Sequence, residues 1–171
     1  MIKKTLVSIV IILIAFLLQT TVFHAFALAN VVPNILLVVT VSYGYIRGRT
    51  HGMWIGLVCG LMLDMMFESV IGLCGFILMT IGFFIGYIRK IFFTDGIWMP
   101  VVLISVGDFA YCMYYYVTEF LLRGRLHFFF YFLHVMLPEI VYTVIVGTAI
   151  FYLIRILEDF LTTTHRREEE I

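Results

Sequence analysis

The sequence predicts an all-α integral membrane protein of six transmembrane helices with both termini on the cytoplasmic side. Three observations predict it. Apolar residues make up 63% of the 171 residues and charged residues 13%, whereas about 25% of a typical soluble domain is charged. The stretch from Thr5 to Ile46 contains no Asp, Glu, Lys or Arg, roughly twice the length that one spanning helix needs. Finally, an inside N-terminus places Lys3, Lys4, Arg47, Arg49, Arg89, Lys90, Arg155, Arg166 and Arg167 on the cytoplasmic side and only Arg123 and Arg125 outside. That bias fixes orientation and favours an even number of crossings.

The first helix is expected over Thr5–Phe23. Lys3 and Lys4, the apolar stretch, and Ala25-Phe26-Ala27-Leu28-Ala29 together resemble a secretory signal with a small-residue cleavage site. The apolar stretch exceeds the roughly 7–15 residues usual there, which favours an uncleaved helix. His24, Asn30 and Pro33 mark a break. The second helix, Pro33–Ile46, is short for a span; it begins nearer Leu28, tilts, or is partly re-entrant. The third covers Thr50–Phe67, the fourth Val70–Ile88, the fifth Ile97–Phe120 and the sixth Phe128–Ile154. Phe128–Phe132 and Trp98 with Phe92-Phe93 stand where aromatic belts are expected. Pro138 lies inside helix six and should kink it. Residues 1–157 form a single domain, and 158–171 a polar tail whose end, His165–Glu170, reads as a solvated helix terminus.

Small residues spaced by four cross the third helix and end in acids: Gly44, Gly48, Gly52, Gly56, Gly60, Asp64, Glu68 and Gly72. Glycine at this spacing lets helix backbones approach closely in lipid. Each step of four advances about 40° past a full turn, so the stripe winds. It reads as a seam for another helix or a partner. Gly82 and Gly86 repeat the spacing and make helix four a candidate neighbour.

Asp64 and Glu68 sit at the outer end of helix three. They are either ordinary polar helix-end residues or a fixed acidic feature that contacts a partner or a neighbouring helix. Asp108 and Glu139 fall near mid-membrane in helices five and six, where an unpaired charge costs about 2.5–3.5 kcal/mol on the insertion scale. No Lys or Arg lies at that depth. The two acids either approach each other, at least one of them neutral, or are satisfied separately; Tyr111, Tyr142 and Thr143 are the nearby partners in sequence. Cys59, Cys74 and Cys112 lie in apolar segments without metal-ligand spacing and read as packing residues. The histidines are dispersed, no catalytic motif is found, and neither cofactor nor metal is expected. Net charge is zero, which implies no bulk attraction to nucleic acid. The basic loop at Arg47 and Arg49 either only sets topology or also meets a cytoplasmic partner or anionic lipid.

Leu18-Gln19-Thr20-Thr21, Val32-Pro33-Asn34-Ile35-Leu36, Arg47-Gly48, Gly52-x3-Gly56-x3-Gly60-Leu61-Met62-Leu63-Asp64 and Gly72-Leu73 together resemble the MreD family. That family is the small multispanning component of the bacterial rod-shape and wall-elongation system. Asn34 stands where Asp is commoner in the family. The resemblance covers helices one to four. It implies a non-enzymatic scaffold in the bacterial plasma membrane beside the single-span MreC, the actin-like MreB and the elongation peptidoglycan synthases. The six-helix outline is also similar to the substrate-binding subunits of energy-coupling-factor vitamin transporters. The competing function is therefore a membrane subunit that binds a small molecule.

Overall fold

The structure, a computed structural model, describes residues 2–22, 32–67, 72–91, 98–118 and 128–169. Six helices occur among these residues. Helix α1 (Ile2–Leu17) runs into a π turn, Leu18–Val22. Then come α2 (Ile35–Arg47), α3 (Arg49–Phe67), α4 (Leu73–Ile91) and α5 (Trp98–Tyr116). The last, α6, opens as Phe128–Tyr131, widens into a π turn at Phe132–Met136 and continues as Leu137–Glu169. No strand occurs among the described residues. Among the described residues, two stretches are long and apolar enough to cross a membrane, Leu73–Lys90 in α4 and Phe129–Phe160 in α6.

Helix α2 is the axis of the bundle. Every residue from Ile35 to Gly44 is buried, and all five other helices pack on it. A helix that is apolar all round belongs in such a place. Its 13 residues span about 20 Å, less than the hydrocarbon core, because it starts inside the bundle. The start therefore needs partners from the protein itself. The Asn34 side chain accepts from the Leu37 N–H at 3.1 Å, and Gln19 Oε1 accepts from the Leu36 N–H at 3.0 Å. The Asn34 N–H donates to Thr143 Oγ1 at 3.2 Å. Asn is among the best N-caps, and Pro33 before it needs no partner for a missing N–H.

Only Gly48 separates α2 from α3. Its φ of +93° lies in the left-handed region, which glycine enters at little cost. The loop expected between Ile46 and Thr50 is thus a single residue. Helices α3 and α4 form the most extensive pair in the bundle. Outward, Leu6, Leu17, Trp98, Phe129, Ile145 and Phe160 are all exposed, an apolar perimeter suited to lipid rather than water.

Helix α6 departs most from the sequence reading. It continues well past Ile154, because Phe151, Ile154 and Glu158, spaced by three and four, all remain buried. At Pro138, where a kink is expected, a π turn lies just before the proline. Proline has no N–H to give to the preceding turn, and its ring crowds that turn's carbonyl. Widening the preceding turn accommodates both, and the Leu137 N–H bonds to the Phe132 carbonyl, five residues back.

Candidate functional site

The glycine stripe is packed inside the bundle at Gly44, Gly52, Gly56 and Gly60, whereas Gly48, expected in the seam, serves the turn instead: a Cβ there, or on Gly72, would meet nothing within 4 Å. A Cβ built on Gly56 would fall within 3.0 Å of the Leu78 carbonyl and the Thr40 methyl, and one on Gly60 within 3.0 Å of Cys74 and Gly75 backbone. On Gly52 it would meet the Gly44 Cα at 2.6 Å. Across the seam, Gly82 packs against Gly52, and Gly86 against Gly48 and Arg49. Gly44, Gly52, Gly56, Gly60, Gly82 and Gly86 thus let α2, α3 and α4 touch backbone to backbone. Helix four is the neighbour of the glycine face, and no side chain larger than glycine fits between them.

Asp64 closes the same pair at its far end. Fully buried, its carboxylate accepts from three backbone N–H groups where α4 begins. Oδ2 takes Gly72 and Gly75, Oδ1 takes Cys74, each at 2.9 Å. A carboxylate at a helix N-terminus satisfies orphan donors and favours the positive end of the helix dipole. Of the two alternatives raised by the sequence, the geometry is that of a fixed acid on a neighbouring helix. Glu68 lies outside the described residues, as do Phe92-Phe93, Arg123, Arg125, His24, His127 and the Ala25–Ala29 stretch.

At the other end of α2, Arg47 and Arg49 part company. Arg49 is exposed and lines a cleft of about 430 Å³ with Gly48, Gly86, Tyr87, Arg89 and Lys90. Arg47 turns inward. Its Nη2 and Nε bind the two oxygens of Glu158 at 2.6 and 3.1 Å, and its Nη1 donates to Ser8 Oγ at 2.9 Å. The guanidinium also lies 5.0 Å from the centre of the Tyr43 ring. The paired carboxylate is only 6% exposed. Arg89 donates to the Ile46 carbonyl and covers Tyr45. Both cations stand where the negative end of the α2 dipole favours them.

The two mid-bundle acids come together. Asp108 on α5 and Glu139 on α6 lie with Cys112 so that one donor atom from each falls within 4.8 Å of the others. Asp108 is fully buried and Cys112 nearly so. The Thr143 hydroxyl lies beside the Asp108 carboxylate, but neither Asp108 oxygen has a partner at hydrogen-bonding geometry among the described residues. Tyr111 instead reaches Cys74 at 3.7 Å. The π turn sets this meeting. One extra residue in a turn rotates everything after it by about 100°, so the face that Glu139 presents follows from Phe132–Met136. Cys112 is the member that sequence reasoning missed. Its one available signal was the four-residue spacing from Asp108, which puts both side chains on one helix face.

A family model described as rod shape-determining protein MreD matches residues 1–161. No curated protein and no solved structure matches the chain.

Proposed function

The chain belongs to the MreD family of rod shape-determining membrane proteins, and on that premise we propose that it is a non-enzymatic scaffold of the wall-elongation machinery. It positions or regulates peptidoglycan synthesis alongside a single-span MreC-like protein, the actin-like MreB and the elongation synthases. It crosses the plasma membrane six times with both termini inside. The excess of Lys and Arg on the cytoplasmic side supports that orientation.

One observation carries the scaffold reading. Polar groups at both ends of the bundle are engaged in holding helices together: Gln19 and Asn34 at the start of α2, Asp64 at the start of α4, and Arg47 with Glu158 at the inner end. What faces outward is an apolar perimeter that includes Leu13, Ile145 and Leu153. Such a perimeter suits lateral contact with another spanning segment better than turnover of a substrate.

The test is photocrosslinking in rod-shaped cells from Leu13, Ile145 and Leu153, with the purified protein checked for bound small molecules. Capture of a single-span wall-elongation protein from at least one position is expected. Capture of an ATPase pair, together with a co-purified small molecule, would replace the scaffold with the transporter subunit.

A further inference from the structure

Asp108, Cys112 and Glu139 form a group that the scaffold reading does not use. Three features set it apart from an incidental cluster. The donor atoms come from two helices, and the two on α5 are four residues apart, the spacing by which one helix face offers two ligands to one ion. All three lie well inside their helices, Asp108 about 15 Å along α5 by helical rise. Asp108 is 0% exposed, yet among the described residues neither of its oxygens has a partner at hydrogen-bonding geometry, although the Thr143 hydroxyl lies beside them. Buried carboxylate oxygens are rarely left so, because a buried acceptor without a partner loses its hydration with nothing in return.

We propose that Asp108, Cys112 and Glu139 bind a borderline divalent transition ion, zinc in the first instance, between α5 and α6. A divalent cation offsets both carboxylates at a depth where the chain supplies no Lys or Arg, and it gives the unpartnered Asp108 oxygens a ligand role. Donor chemistry selects the class of ion. Calcium takes six to eight oxygens and magnesium a near-octahedral shell that keeps several waters; one thiol with two carboxylates suits zinc and its neighbours. The dimensions also agree. Three atoms at most 4.8 Å apart pairwise all lie within about 2.8 Å of a common point, and modest side-chain rotation reaches the ~2.0–2.3 Å of zinc bonds. The Phe132–Met136 π turn is the element that aims Glu139 at α5, and such turns are frequent at functional sites.

Cobalt(II) titration of the chelator-treated, full-length protein in detergent tests this. The expected result is a thiolate-to-cobalt charge-transfer band in the near ultraviolet that saturates at equimolar metal and is bleached by added zinc. Cys112→Ser should abolish the band, and Cys59→Ser should leave it intact. Asp108→Asn and Glu139→Gln should each weaken cobalt binding at least about tenfold, with size-exclusion profiles confirming that each variant is folded. The wild-type titration needs no variant at all. The proposal is overturned if wild-type protein takes up no cobalt, or if the band survives Cys112→Ser. It is equally overturned if a protonated-carboxyl infrared band is present and unmoved by zinc, since protons would then occupy the place assigned to the metal.

Discussion

Asp64 shows at the residue scale how an acid can be structural in a protein with few charges. Three N–H groups at the start of α4 bond to one fully buried carboxylate. Asp64→Ala orphans all three donors. Each orphaned donor costs about 1–3 kcal/mol, so a loss of about 3 kcal/mol or more is expected. Asp64→Asn keeps one acceptor oxygen and should lose less. Denaturant unfolding in detergent would rank the two variants; an alanine variant as stable as wild type would show that the cap contributes nothing. The sequence placed Asp64 correctly at the end of a glycine stripe but left its partner open, because three backbone donors carry no side-chain signature.

At the element scale, α3 is defined by what it lacks. Four-residue glycine spacing brings its backbone onto α2 and α4, and the contacts at Gly56 and Gly60 are with backbone, which cannot rotate away. Leu at either position must push the helices apart. Overpacking typically costs about 1–3 kcal/mol, and more is expected here because every atom in the way is main chain or a buried methyl. Gly56→Leu and Gly60→Leu should therefore lower the yield of folded protein and abolish rod-shape function, whereas Val58→Leu on the exposed face should do neither. The comparison separates loss of helix packing from loss of a lipid-facing contact. These elements were legible in the sequence for a physical reason: glycine spacing, the Arg47-Gly48 junction and the Pro33-Asn34 start are local signals that act within a few residues. Helix α6 was less legible. Its inward face continues into a segment that composition alone assigns to a polar tail, and its π turn changes the phase of every later residue, Glu139 included. Shared depth left the meeting of Asp108 with Glu139 open, as one of two alternatives. Cys112 was not expected there, because a cysteine in an apolar run looks the same whether it packs or binds.

At the scale of the whole molecule, a contact between distant parts of the sequence closes the bundle. Arg47 and Glu158 are 111 positions apart, a separation at which no spacing rule operates, and Ser8 brings in the first helix. One guanidinium thus ties α1, α2 and α6 at the end of the bundle assigned to the cytoplasm. A single substitution there changes two things at once, the positive charge counted toward orientation and the closure of the bundle. Arg47→Ala leaves the Glu158 carboxylate buried without its partner, a change worth about 3–5 kcal/mol. Glu158→Ala removes the guanidinium's counter-charge while leaving its contacts with Ser8 and the Tyr43 ring, and should also destabilise. Replacing both, as Arg47→Met with Glu158→Leu, removes the uncompensated charge and fills the space; buried pairs exchanged in this way are often as stable as before. The expected order in detergent unfolding is wild type and the double variant together, with both single variants well below. If Arg47 acted through topology alone, Glu158→Ala would be as stable as wild type. The double variant, lacking the inside cation, would instead show altered accessibility of cysteines placed at the two termini.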